Sequence, residues 1–307
     1  MNYSYSEKCS LVVSTSDNYE CAWKPYFELL KRFWPNHPLK IYLNSEKKVY
    51  KDEELDICVC HSEESYSWSE RLYHCLEQVP TEYIIFSLED FFLVDTVNDE
   101  HIEQCILWME ENSDIVECRL KPSNRKELIK CEQYEPFRIA DNNTPYRLDT
   151  QMAIWRRKDL MKMLDFNEDP WHFEMDGTKR IKNSQKTFLW LYLENEDDES
   201  RMIIPYHMNP KLGYGIAWGR WLWNNKKLFN QCGITDVDFK TFGILPKWAV
   251  EMRFRFLYRA GLKPAQGFEK KVQYAYKFLD RIEKAFILLK LYGLKMGIQE
   301  IRNKKRK

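Results

Sequence analysis

The chain has 307 residues, 44% of them hydrophobic, with 47 Lys and Arg balancing 47 Asp and Glu. That length and apolar content suit one substantial α/β core and exclude a disordered or collagen-like chain. No window reaches the roughly 18 apolar residues a spanning helix needs, and Met1 to Lys8 lacks the apolar stretch of a signal peptide, so the expectation is a cytoplasmic protein.

Short apolar runs alternate with longer amphipathic segments through the first 120 residues, the pattern of a parallel sheet with crossover helices. Strands are predicted at 10–14, 39–43, 57–60, 83–88 and 115–120, with helices at 20–33, 69–78 and 100–111. Pro35 and Pro38 stop the first helix, while Asn98 caps the third. Beyond residue 120 a strand over 145–155 runs into a helix over 156–164, and further strands are predicted at 188–193 and 202–206. Asn167-Glu168-Asp169-Pro170 has the acids and first-turn proline of a helix start. Gly213, Gly215 and Gly219 lie among aromatics, as in a tight loop close to a ligand or another backbone. No repeat and no low-complexity linker interrupts the chain, which divides as residues 1–232, an α/β domain, and residues 233–307, a basic helical extension. The nine cysteines are odd in number and irregularly spaced. Cys58 and Cys60 are read as facing opposite sides of a strand, and all nine as reduced core thiols.

Four groups of residues bear chemistry. The most informative is the run from Tyr83 to Leu93, where Glu89 and Asp90 end a segment that otherwise reads as a buried strand. In open α/β sheets the carboxyl ends of strands line the ligand crevice, so these acids would emerge where a cation and a phosphorylated substrate can sit; a solvated strand end is the alternative. Ser14, Thr15, Ser16 and Asp17 lie at the end of the first strand and either approach a nucleotide or only cap a helix. In Trp68-Ser69-Glu70-Arg71, Ser69 can cap a helix and Arg71 can reach a diphosphate. Trp171 and Glu174 share a helical face on which a sugar could stack while Glu174 takes a proton, against the alternative of a core Trp and a surface acid. His172 and His207 are candidate metal ligands without zinc spacing, and no P-loop, GxGxxG helix start or Ser/His/Asp arrangement is present.

Taken in order, Val12-Val13-Ser14-Thr15-Ser16-Asp17, Trp68-Ser69, Leu88-Glu89-Asp90-Phe91-Phe92-Leu93, Gln151-Met152-Ala153-Ile154-Trp155-Arg156 and Pro170-Trp171-His172-Phe173-Glu174 resemble bacterial GT-A type glycosyltransferases of capsule and surface-polysaccharide clusters. The resemblance covers roughly residues 8 to 225. It implies a Rossmann-type mixed sheet with flanking helices that binds a nucleotide-sugar, most often a UDP-sugar, and transfers the sugar to a saccharide or lipid-linked saccharide. It further implies Ser14, Thr15 and Asp17 near the nucleotide, Arg71 near the diphosphate, and Mg²⁺ or Mn²⁺ on Asp90 and Glu89 with His207 as a distal ligand. Gln151 and Trp171 would meet the acceptor, and Glu174 would be the base of an inverting transfer. Glu-Asp-Phe stands here in place of the family's Asp-x-Asp. A sugar-phosphate nucleotidyltransferase and a non-catalytic glycan-binding scaffold are the rival readings.

Charge is segregated, since residues 268–307 hold 12 Lys and Arg against 4 Asp and Glu. Apolar residues from Val272 to Gly293 recur at three and four, so this segment is predicted to form a helix that docks on an anionic membrane face or packs on protein. Nucleic acid is not expected as a partner, because no recognised binding module accompanies the basic excess.

Overall fold

The structure, a computed structural model, describes residues 4–35, 37–195, 198, 201–207, 215–217 and 219–247. The predicted basic helix at the carboxyl end lies outside the described residues. Two compact units divide the chain: Met1–Gly219 with Asn224–Phe242, and Arg220–Trp223 with Gly243–Lys307.

The first unit is a mixed α/β layer structure. Its strands are β1 (Cys9–Ser14), β2 (Ile41–Ser45), β3 (Ile57–His61), β4 (Tyr83–Leu88), β5 (Ile115–Ser123), β6 (Ile129–Lys130), β7 (Phe137–Ile139), β8 (Ala153–Arg156) and β9 (Thr187–Tyr192), in the sheet order β3-β2-β1-β4-β8-β5-β9-β7-β6. The flanking helices are α1 (Glu20–Phe33), α2 (Trp68–Gln78), α3 (Asp99–Glu111) and α4 (Arg157–Met163). A further helical segment begins as α5 (Pro170–His172), widens into a π-turn at Phe173–Gly177 and ends as α6 (Thr178–Arg180). Strand β10 (Ile216–Ala217) and helix α7 (Asn225–Gln231) complete the unit.

Strands β3, β2, β1 and β4 are parallel, with Leu11 beside Ile41 on one side and Ile85 on the other. The chain leaves β1 toward β2 and β3, then crosses back through α2 to lay β4 on β1's opposite edge. Strand order therefore reverses between β1 and β4, and their carboxyl ends open a crevice there. Strand β8 is antiparallel to both β4 and β5, which brings the residues just before it to the same end of the sheet. Alternation along buried strands sends Val12, Ile84 and Phe86 into one core cluster with Leu72, Leu76, Trp155 and Trp190.

In the second unit, β11 (Arg220–Leu222) pairs in parallel with β12 (Ile244–Leu245), and the Trp221 amide donates to the carbonyl of Gly243, whose φ of +67° suits only glycine comfortably.

Three expectations about strands are corrected. Within 145–155 only Ala153 onward is strand, because the preceding amides are taken by side chains: Leu148 by Thr178, Thr150 by Glu174, and Gln151 by Asp149. The 202–206 segment forms a single bridge, Tyr206 with Leu93, although its backbone also bonds Val94 and Asn98. Cys58 and Cys60, two residues apart, lie on the same side of β3, and the Cys60 thiol bonds both Cys58 and Cys75. All nine thiols are free.

Helix α2 is capped by Ser67, whose hydroxyl accepts from the Glu70 amide at 3.1 Å, in place of the predicted Ser69. Ser69 lies inside the helix and donates to the Glu168 carbonyl at 3.0 Å. Ser67→Ala removes a side-chain cap, and the expected cost is about 1 kcal/mol, read as a lower urea midpoint with an unchanged slope. A midpoint equal to the parent's would show that the cap contributes nothing.

Candidate functional site

A cleft of about 500 Å³ opens at the carboxyl ends of β1 and β4. Ser14, Thr15, Tyr19, Arg71, Glu89 and Asp90 line one part of it, and Thr150, Gln151, Trp171 and Glu174 another. Residues separated by up to 160 positions in the chain thus share one concavity of ligand size.

Glu89 and Asp90 are each 7% exposed. Burial pushes both carboxyls up, Glu89 to about 8 and Asp90 to about 7, with the neighbouring Asp90 charge adding to the Glu89 effect. Opposing this, Glu89 gains a hydrogen bond from Thr15 and the attraction of Arg71, while Asp90 Oδ2 accepts from the Ile216 amide at 3.0 Å. The turn is held from behind. The Gly215 amide donates to the Asp90 carbonyl at 3.1 Å, and a Cβ on Gly215 would lie 2.1 Å from Phe92, so no larger residue fits without displacing that ring.

The residues fit a hard divalent cation. Two carboxylates without thiolate or imidazole form an all-oxygen donor set, and Mg²⁺ commonly takes one or two carboxylates with the remaining ligands from substrate phosphates. Among the described residues no group of three or more ligating side chains forms. His207 is absent from the cleft lining; its ring meets Asn224, its amide donates to Phe92, and burial lowers its pKa. His172 pairs with Asp169 at 2.8 Å on the surface.

The hydroxyls after β1 hold aromatic side chains in place. Trp68 Nε1 donates to Ser14 Oγ at 3.1 Å and Trp23 Nε1 to Thr15 Oγ1 at 2.9 Å. Asp17 has a different environment from the one expected. Its carboxylate accepts from the amides of Glu46, Lys47 and Lys48 at 3.0 to 3.2 Å, clamping the loop after β2, and it does not line the cleft. Arg71 does line it, ion-paired to Glu46 with its Nε buried and unpartnered.

On the other wall, Glu174 projects from the π-turn, a widening found often at functional sites. Its Oε1 accepts from both the amide and the hydroxyl of Thr150, at 3.0 and 2.7 Å. Burial raises the Glu174 pKa, and the Asp149 charge raises it further. Asp149 is itself buried and paired to Arg119 at 3.0 Å, with that guanidinium 4.1 Å from the Trp190 ring. Trp171 is 59% exposed at the rim. Thr150, Tyr19 and Ile216 were missed by sequence reasoning. Thr150 precedes the quoted Gln151 block by one residue, and only the antiparallel entry of β8 reveals that it meets Glu174.

No protein-family model and no curated protein matches the chain. Among solved structures, Staphylococcus aureus TarS 1-349 aligns at 15% identity and a TM-score of 0.40, over 61% of this chain and 58% of that one. The same fragment in complex with UDP-GlcNAc aligns at 12% identity and 0.41, over 92% and 81%. A cytidylyltransferase from Leptospira borgpetersenii aligns at 10% identity and 0.40, over 62% and 78%. The chain spans less than two thirds of the first of these.

The buried acid pair predicts a pH dependence of stability. Unfolded, both acids ionise near pH 4; folded, they keep their protons until about pH 7 to 8, so stability falls as pH rises through that window. The double variant Glu89→Gln, Asp90→Asn is expected to be more stable than the parent at pH 8 in urea titrations, the two converging toward pH 4. A gap independent of pH would contradict the shifts.

Proposed function

We propose that the protein is a glycosyltransferase that moves a sugar from a nucleotide-sugar to a hydroxyl of a saccharide or lipid-linked saccharide, with inversion. The observation that carries the reading is one cleft lined both by a diphosphate-suited group, Arg71 with Glu89 and Asp90, and by a proton-accepting group, Glu174 with Trp171. The sequence blocks add a nucleotide-sugar donor, with UDP as the nucleotide, and a role in surface polysaccharide synthesis. The three structural alignments carry no weight in this.

Glu174 takes the acceptor hydroxyl's proton as that oxygen bonds to the donor's anomeric carbon and the nucleoside diphosphate leaves with the bonding pair. A carboxylate with raised pKa suits this, because a base works best when its pKa approaches the working pH. Thr150 holds Oε1, which leaves Oε2 for the substrate. Arg71 attracts the departing diphosphate, and Asp90 with Glu89 would hold a Mg²⁺ or Mn²⁺ whose charge stabilises it. A nucleotidyltransferase could use the same acids, but Ser14-Thr15-Ser16-Asp17 lacks the glycine-rich phosphate loop it normally has. The product decides: nucleoside diphosphate for sugar transfer, pyrophosphate for nucleotidyl transfer, neither for a scaffold.

Glu174→Gln is expected to lower turnover by roughly 10² to 10⁴ with donor affinity unchanged. Asp90→Asn is expected to abolish the Mn²⁺-dependent thermal shift given by UDP-sugars. Full turnover of the first variant at saturating acceptor would remove Glu174 from the chemistry; a parental shift in the second would remove the cation from Asp90.

For residues 268–307 we propose docking on an anionic membrane face, since each basic residue near such a leaflet contributes about 1 kcal/mol. No helix among the described residues is long and apolar enough to cross a membrane. The full chain is expected to sediment with anionic and not neutral liposomes, and a chain ending at Gly267 with neither. Equal sedimentation of both chains would locate binding elsewhere.

A further inference from the structure

We propose that the outer face formed by α2 and the 165–171 connection binds a neutral oligosaccharide, extending the acceptor site beyond the reacting sugar. Its assignment to the acceptor rests on the glycosyltransferase reading; its binding chemistry does not.

Trp171 is the most exposed large hydrophobic among the described residues, at 59%, and Phe166 on the same connection is 42% exposed. Phe166 does not stand alone. Its ring centroid lies 5.0 Å from Tyr73 and 6.0 Å from His74, and His74 lies 5.2 Å from Tyr66. Phe166 and Trp171 are five positions apart, so their backbones are at most about 18 Å apart. A short glycan is therefore long enough to span from one to the other with an end at the cleft that Trp171 lines.

The connection is fixed before any ligand arrives. Ser67 donates to the Phe166 carbonyl, and Ser69 to the carbonyls of Asp165 and Glu168. A preordered platform loses less entropy on binding than a loose one.

Charge selects the ligand class. Residues 61–78 and 165–176 together hold nine Asp and Glu against one Arg, and although Lys47, Arg180 and Lys179 from outside these segments pair with Glu64, Glu168 and Asp176, the surround stays net acidic. Such a surround repels phosphate polymers, nucleic acid and anionic lipid. Protein interface cores are depleted in acids, which argues against a protein partner. Ring faces interspersed with carboxylates that accept hydrogen bonds match the apolar faces and hydroxyl donors of an uncharged sugar chain.

The test is an array of neutral, anionic and amino-bearing glycans of one to eight sugars, probed with the full chain and with Phe166→Ala, Phe166→Trp and Tyr73→Ala. The parent is expected to retain neutral glycans of three or more sugars. Phe166→Ala should weaken that binding by about three- to tenfold, while Phe166→Trp, which keeps a ring, should preserve it, at an unchanged melting temperature for both. Tyr73→Ala, which removes a ring packed on Phe166, should weaken it as well. Retention of only anionic or single sugars, capture of nothing neutral, or Phe166→Ala binding like the parent would overturn the proposal. UDP-sugar thermal shifts on the same preparations separate the two readings. Glycan binding without any donor shift leaves the strip and removes the transferase, whereas donor shift and transfer indifferent to acceptor length does the reverse.

Discussion

Two carboxyl groups held out of water at the end of a central strand set the terms for the rest of this site. Glu89 and Asp90 are exposed only where they line the cleft, because the chain continues at once into Phe91 and Phe92, both fully buried. Burial of each ring stabilises the fold by about 1.5 to 3 kcal/mol, which offsets part of the cost of keeping the acids from water. Phe91 stacks on Tyr206 at 4.8 Å, and Phe92 leaves room behind the turn only for glycine at position 215. The consequence is chemical. Burial makes the two acids favour their protonated forms, an electrostatic demand that a divalent cation held between them and a donor diphosphate would meet.

The opposite wall is organised by a second set of buried charges. Arg119 and Glu117 project from one side of β5, and Asp149 reaches Arg119 from the connection before β8. A buried ion pair contributes little net stability, since desolvation cancels most of its attraction. Its effect here is positional and electrostatic: Asp149 accepts the Gln151 amide, fixing the connection on which Thr150 grips Glu174. The candidate base therefore has one oxygen held, the other available, and a neighbouring negative charge that raises its proton affinity.

Polar residues that looked like ligand contacts also have structural partners. Asp17 spends all its acceptor capacity on three backbone amides after β2, and Glu46 in that loop returns a bond to the Asp17 amide while pairing with Arg71. This reciprocal clamp orders the loop and places Arg71 at the cleft. Sequence spacing could not reveal it, because the partners are about thirty residues apart and meet only once β1 and β2 are in register.

The sequence by itself determined the elements whose physics is local. The 3.6-residue period of α1 and the buried apolar run of β4 needed no tertiary information, and α1 and β4 form over the predicted spans. It also placed Glu89 and Asp90 at a strand end, because two acids after a mostly apolar run of six residues have few other positions available. Tertiary structure decided everything that depends on which strands become neighbours. The insertion of β8 antiparallel between β4 and β5 turned an expected eleven-residue strand into four residues and a polar connection, bringing Thr150 to Glu174. Likewise His207 packs beside Asn224 and does not line the cleft, and Ser67 displaces Ser69 as the cap. Each outcome rests on a hydrogen-bond partner distant in the chain, and distance in the chain carries no signal in a single sequence.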